Sequence, residues 1–399
     1  MVFSGILLAS AYGVGAFEGA ILNARDDDIF TTSLWSIYAV LAFGATLAFL
    51  VRYFDISSDI KEYHLIVNDH KVRRFANAAI LIGVSLSIFS FLFLSYNHAF
   101  IASILTGEGL VAVRLRNSYG SRLPSQIAQV ITISWWIISI YVGILLYQRR
   151  RLRGAFYGLI SLFLASTAGD KAPVVMCFML ISFSYFSLRG VKISGRWALK
   201  VVLLYFPVLY IALFLIVSLQ IPELTVEKFN VYILNRLGVG QMAGVFETVS
   251  IPRLDGDFFW HMIPGASFFV EYIPYDKMLM MIVEGYGYTE MGVKNSLFIS
   301  EAYGMGGMPL VIFAPAIVGI SYALGILILY LFLYRFFGRP IALIYALPLY
   351  ILSSALTGGF SSFPLFKGLI LEILCLGVIW LGFQFLRLSL KKRSNRNNV

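Results

Sequence analysis

The stretch that decides the fold runs from Ser296 to Tyr334 and reads SLFISEAYGMGGMPLVIFAPAIVGISYALGILILYLFLY. Its only charged residue is Glu301. A membrane-spanning helix needs about 20 mostly apolar residues, so the run is too long for one span. Gly304, Gly306, Gly307 and Pro309 stand near its start, and Gly and Pro are the residues that break helices. The expected form is a short capped helix, a break, and then a span over 308–334. Ser300 then shares a face with Tyr303 and Gly304, three and four residues on.

Apolar runs of this kind recur along the whole chain. Of its 399 residues 59% are apolar and 13% charged, and the mean hydropathy is +0.82. Soluble domains carry about 25% charged residues, so a soluble globular protein, a disordered chain and a disulfide-stapled secreted module are excluded. Ten spans are expected, near 1–23, 29–51, 76–97, 125–147, 154–169, 172–188, 199–219, 308–334, 340–357 and 368–386. The fifth is short and needs a thin bilayer or a tilted neighbour. No charged region precedes the first span and no clear small-residue cleavage site follows it, so a retained helix is expected there. The fold class is therefore an all-α polytopic membrane helix bundle. Residues 1–219 form an N-terminal bundle of about seven spans with a small outer loop at 98–124. Residues 220–307 form one large outer loop, and 308–399 the C-terminal spans and a basic tail.

Charge sets the orientation. The chain has 31 Lys+Arg against 21 Asp+Glu, a formal net charge of +10. One set of connections, 52–75, 148–153, 189–198, 335–339 and the tail from Arg387, with Lys200 at a helix end, holds 20 basic and four acidic residues. The alternate set, 24–28, 98–124, 170–171, 220–307 and 358–367, holds 11 basic and 15 acidic ones. Basic residues concentrate in cytoplasmic loops, which places both termini in the cytoplasm. Gln148-Arg149-Arg150-Arg151-Leu152-Arg153 is the clearest anchor. The excess is an orientation signal, and no nucleic-acid partner is expected.

Few familiar chemistries fit. Cys177 and Cys375 fall inside spans, which leaves no disulfide framework or thiolate metal site. No zinc, EF-hand, P-loop or GxSxG pattern appears, and Gly285-Tyr286-Gly287-Tyr288 follows no expected strand. His64 and His70 fall on the cytoplasmic side, His98 and His261 outside. The large loop is rich in aromatics, among them Phe258, Phe259, Trp260, Phe268, Tyr272 and Tyr275, which argues for order. Val226, Phe229, Ile233, Leu237 and Val245 recur at helical spacing, the pattern of an amphipathic helix at the outer interface.

The candidate residues each have a plainer alternative. Arg114, Arg116 and Arg122 stand in the first outer loop against the orientation trend. They are either snorkelling residues at lipid headgroups or an anion clamp, because guanidinium forks match phosphate oxygens. In Gly169-Asp170-Lys171-Ala172-Pro173, Pro173 suits a first helical turn and Asp170 suits its cap. Lys171 then lies beside free N–H groups, an anion site, or is simply solvated. Arg236 lies mid-helix, where a lone arginine is commonly a polar-face residue. Glu301 is costly near a bilayer unless paired or working, although an acid also complements a helix N-terminus. Glu18 and Glu372 lie inside spans, as in ion-coupled transporters, but no inverted repeat accompanies them.

Four pieces occur in an order that resembles the Wzy-type oligosaccharide repeat-unit polymerases of O-antigen and capsule synthesis. They are the outer loop carrying Arg114 and Arg116, the Gly169–Pro173 hairpin, Tyr232-Ile233-Leu234-Asn235-Arg236, and the segment from Asn295 to Gly307. One departure is Gly304-Met305-Gly306, where members often show an Asn-Phe-Gly-like stretch. The resemblance implies a fold like C-type membrane glycosyltransferases. It also implies a metal-independent transfer, with no cofactor, of a glycan from undecaprenyl pyrophosphate to a new lipid-linked repeat unit at the outer membrane face. Its partners would be the lipid-linked oligosaccharide, membrane lipid and a chain-length regulator.

The cations fit a departing pyrophosphate, whose developing charge is best met by fixed cations in a water-poor site. Arg114, Arg116, Lys171 and Arg236 are the expected pyrophosphate ligands, with Arg122 behind them. Glu301 is the first candidate to activate the acceptor hydroxyl, with His261 and Glu271 in reserve. Tyr303, Asn295 and His261 are expected to contact sugar, though interfacial belts explain aromatics equally well. The rival assignments are an O-antigen ligase and a lipid-linked oligosaccharide flippase or transporter.

Overall fold

The structure, a computed structural model, describes residues 24–53, 69–94, 98–107, 124–167, 171–189, 224–237, 243–251, 275–285, 296–354 and 359–396, with scattered positions at 207–218, 260–273 and 356. Among the described residues the chain is helical and has no strand. Helices α1 (Asp26–Tyr53), α2 (Asp69–Leu94), α3 (Ala99–Thr106), α4 (Ser125–Tyr147), α5 (Arg151–Ala165) and α6 (Lys171–Leu188) precede the large loop. The loop contributes α7 (Val226–Leu237), α8 (Ala243–Glu247) and α9 (Tyr275–Glu284). Then follow α10 (Phe298–Phe337), α11 (Arg339–Ser353) and α12 (Lys367–Arg396).

Five helices are long and apolar enough to cross a membrane: Asp27–Leu50, His70–Leu94, Gln126–Tyr147, Phe298–Phe337 and Lys367–Phe385. Ala172–Leu188 and Ile341–Ser353 are apolar but shorter, and α5 has only 15 residues. Large apolar side chains point outward from these helices, Phe49, Phe93, Phe313 and Leu381 each being more than 60% exposed. In water such surfaces aggregate or bind partners; on five long apolar helices they are lipid-facing. The chain is a multi-pass helical membrane protein. The expected span at 1–23 and most of that at 199–219 lie outside the described residues.

The helix ends depart from expectation in two places. α2 starts at Asp69 rather than near 76, because Val72, Phe75, Ala76 and Ala79, all buried, carry the helical spacing of the apolar run back toward it. α12 continues to Arg396, beyond 386, since the Arg, Leu and Lys of the tail are good helix formers. Two short helices, α3 and α9, have no counterpart in the sequence reading.

The described chain forms two compact units, each discontinuous in sequence. The unit made of 58–225, 330–349 and 372–399 is built around α4, which packs on α2, α5 and α6. The apolar window of α4 is 83% buried, against 22% for that of α2, so α4 is its central column. Close approach is achieved with small residues, as is usual where no water-driven term pushes helices together. A Cβ at Gly143 would fall on the Ser184 hydroxyl. Ser139 Oγ and Ser161 Oγ lie 2.7 Å apart across α4 and α5. Outside the spans, α3 is tied to the end of α5: Ala99 N–H donates to Thr167 O at 2.9 Å, and the His98 ring stacks on Phe163.

The other unit comprises 1–57, 226–329 and 350–371. In it α1 lies along α10, with Thr46 against Gly319, Phe43 edge-on to Tyr322, and the Tyr38 hydroxyl donating to Ile312 O at 2.8 Å. The helix α10 is broken where glycines and Pro309 predict a break. Gly307 has φ 65 and ψ −155, a backbone region essentially closed to other residues. Pro309 follows in the first turn after the break, where its missing N–H leaves no bond unmade.

Candidate functional site

The start of α10 carries a buried polar cluster within a single unit. Glu301 stands in the first turn of the helix and is 1% exposed. Its Oε2 accepts the backbone N–H of Ser361 at 2.7 Å, and its Oε1 accepts the Ser361 hydroxyl at 3.0 Å. Ser361 belongs to a 3-10 turn, Phe360–Ser362, that enters from Gly359 in extended backbone. A Cβ at Gly359 would fall on the Glu301 carboxylate, so glycine is what lets the turn close on the helix. Phe298 N–H donates to Leu356 O at 3.1 Å, which satisfies one of the free donors of the first turn. Lys367, half-buried at the start of α12, is close enough to feel the Glu301 charge.

α9 closes the other side. The Ser296 hydroxyl donates to Asp276 Oδ1, and the Tyr275 hydroxyl donates to Ser300 O at 3.2 Å. Thr248 Oγ1 lies 3.5 Å from the Tyr275 hydroxyl and donates to Gly244 O at 2.6 Å. Glu247 is fully buried and Lys277 nearly so. Burial pushes the Asp276 carboxyl up from its ordinary 3.8 to about 6, against the opposing pull of the Ser296 hydroxyl. Burial also raises the Tyr275 phenol; the Thr248 contact opposes this, while the charges of Glu301 and Asp276 add to it.

As it stands, this carboxylate holds a turn sixty positions away in the chain onto the helix N-terminus. Both its oxygens are occupied by Ser361. A hydrogen bond contributes about 0.5–1.5 kcal/mol net, and a buried group left without one costs about 1–3 kcal/mol, so the clamp is a substantial local restraint.

The other expected site residues are only partly in view. Tyr303 is half-buried and its ring packs on Trp35 at 4.9 Å. Arg236 lies in α7, and Lys171 is the first residue of α6 with Pro173 in its first turn; their side chains lie outside the described residues. Arg114, Arg116, Arg122, Asn295, His261 and Glu271 lie wholly outside them. The sequence reading missed Ser361 and Gly359. The one signal for them is the run Thr357-Gly358-Gly359-Phe360-Ser361-Ser362, a turn-rich break between two apolar helices. Among the described residues no group of three or more His, Cys, Asp or Glu side chains is placed to share a metal ion. No family model, no curated protein and no solved structure matches the chain.

Proposed function

We propose that the chain polymerises undecaprenyl-pyrophosphate-linked oligosaccharide repeat units at the outer face of a bacterial inner membrane. It would be a metal-independent glycosyltransferase with ten spans, both termini in the cytoplasm and a C-type architecture. The growing glycan moves from its lipid carrier to the terminal hydroxyl of a newly delivered lipid-linked unit, and undecaprenyl pyrophosphate leaves. Arg114, Arg116, Lys171 and Arg236 neutralise the leaving pyrophosphate, with Arg122 at their edge. Cations held in advance where charge develops stabilise the transition state with little reorganisation.

The observation that supports this assignment best is a fixed carboxylate inside the fourth of the ordered motif pieces. Glu301 is buried and oriented by Ser361, as a group that orients or activates an acceptor hydroxyl requires. Tyr303 and Asn295 lie in the same piece, and His261 in the same large outer loop. A second reading has a specific observation in its favour: with both oxygens engaged by Ser361, Glu301 is a structural clamp. Glu301→Gln and Ser361→Ala separate the two. For an activating carboxylate, Glu301→Gln abolishes long chains while Ser361→Ala shortens them. For a clamp, the two variants lose stability together and leave comparable residual chain synthesis.

The class of function is tested by deletion. Loss of a polymerase leaves surface glycan capped with a single repeat; loss of a ligase or flippase removes it altogether. Complementation by Arg236→Ala or Arg114→Ala at normal expression is expected to leave the single-repeat phenotype. Normal polymer from either variant would reject the pyrophosphate role of that arginine.

A further inference from the structure

Three apolar helices end around one cleft in the unit built on α4. His70 and Lys71 open the apolar stretch of α2, Arg335 stands near the end of α10, and Trp380 and Gln384 stand near the end of the apolar stretch of α12. The cavity between them has a volume of about 390 Å³. Arg74, one turn into α2, completes the basic rim. Lys71 and Arg335 are exposed and Arg74 is partly buried. Among the described residues no carboxylate forms a salt bridge with Lys71, Arg74 or Arg335.

Beneath the cations the wall is aromatic. Phe75 meets Phe337 at 5.0 Å, and Phe336 meets Trp380 at 5.7 Å. The buried indole N–H of Trp380 has no hydrogen-bond partner among the described residues. Beside the cleft, Leu331 and Tyr334 on α10 and Leu381 and Phe385 on α12 face outward, 42–68% exposed.

These features ask for one kind of ligand. The point where several apolar helices end is the depth at which a bilayer passes from hydrocarbon to headgroup. Guanidinium and ammonium groups there suit a phosphate, and basic pockets between membrane helices bind anionic headgroups. A free phosphate would use the rim alone; the exposed apolar faces running from the cleft suit a molecule that also carries acyl chains. The geometry points to a binding site for an anionic phospholipid. Arg74 and Arg335 take the phosphate, Lys71 lies beside them, the Trp380 N–H donates to the headgroup, and the chains lie on α10 and α12.

The test is native mass spectrometry of the purified full chain, titrated with phosphatidylglycerol, with phosphatidylcholine, or with inorganic phosphate. Bound phosphatidylglycerol is expected to survive gas-phase activation where phosphatidylcholine does not. Removing two rim cations in Arg74→Gln/Arg335→Gln is expected to weaken it by about tenfold or more. Arg151→Gln/Arg153→Gln removes the same charge from exposed positions outside the cleft, and it is expected to bind as the parent does. Equal loss in both double variants overturns the site, since bulk charge then suffices. Unchanged binding in the rim variant overturns it as well. Equal retention of the two lipids, with displacement by inorganic phosphate, overturns the lipid in favour of a free phosphate.

Discussion

Glu301 shows how much a single residue in an apolar helix can constrain. An acid in a run with no other charge has to be solvated by protein groups, because little water reaches it. Ser361 supplies both donors, and Gly359 supplies the room. Gly359→Ala therefore forces the turn off the carboxylate even though its extended backbone accepts alanine. The expected cost is about 1–3 kcal/mol, read as a lower melting temperature of the detergent-purified protein. In a Glu301→Ala background the same substitution is expected to cost much less, the non-additivity of groups in contact. Asp276 makes a pH prediction. Its folded value of about 6 lies above its ordinary 3.8, so the folded state binds the extra proton between those values. That contribution to stability is fully present below pH 3.8 and is lost as pH rises through 6. Asp276→Asn is expected to melt higher than the parent at pH 7.5 and level with it near pH 4; an unchanged difference between the two pH values would contradict the assignment. Glu301 was legible in the sequence because an isolated acid breaks an apolar pattern. Its partner was not, because nothing local to Ser361 announces a contact sixty residues away.

At the scale of elements, hydrophobic periodicity reads the long helices well. α1, α4, α6 and α10 lie where apolar runs place them, and the break in α10 falls among the glycines that signal it. Gly307 is the clearest case: its φ of 65 and ψ of −155 suit a residue without a Cβ. Gly307→Ala is expected to cost about 1–3 kcal/mol, seen as a fall in thermal stability, whereas Gly44→Ala, in the helical backbone of α1 with open space where the Cβ would go, is expected to cost clearly less. Similar costs at both positions would mean that the break is not what fixes glycine there. α3 and α9 escaped the sequence because they are short and lie in loops whose apolar residues show no clear period. α9 matters most, since it brings Tyr275 and Asp276 to the first turn of α10. Its aromatic and acidic residues were visible as composition, but their destination is set by tertiary packing.

At the scale of the molecule, composition declares a membrane protein and five long apolar helices agree. Divided by the topology expected from the sequence, the +10 net charge would leave a small number of cations on an acidic outer face. Those cations and Glu301 carry the proposed chemistry. The most direct measurement is made with purified protein and lipid-linked repeat units, with and without EDTA, resolved on a gel. A polymerase gives a ladder of regularly spaced products in both conditions, and Arg236→Ala gives none. Single repeats that stay unextended in the presence of folded protein would contradict the proposed function, and a ladder abolished by EDTA would contradict metal-independent transfer.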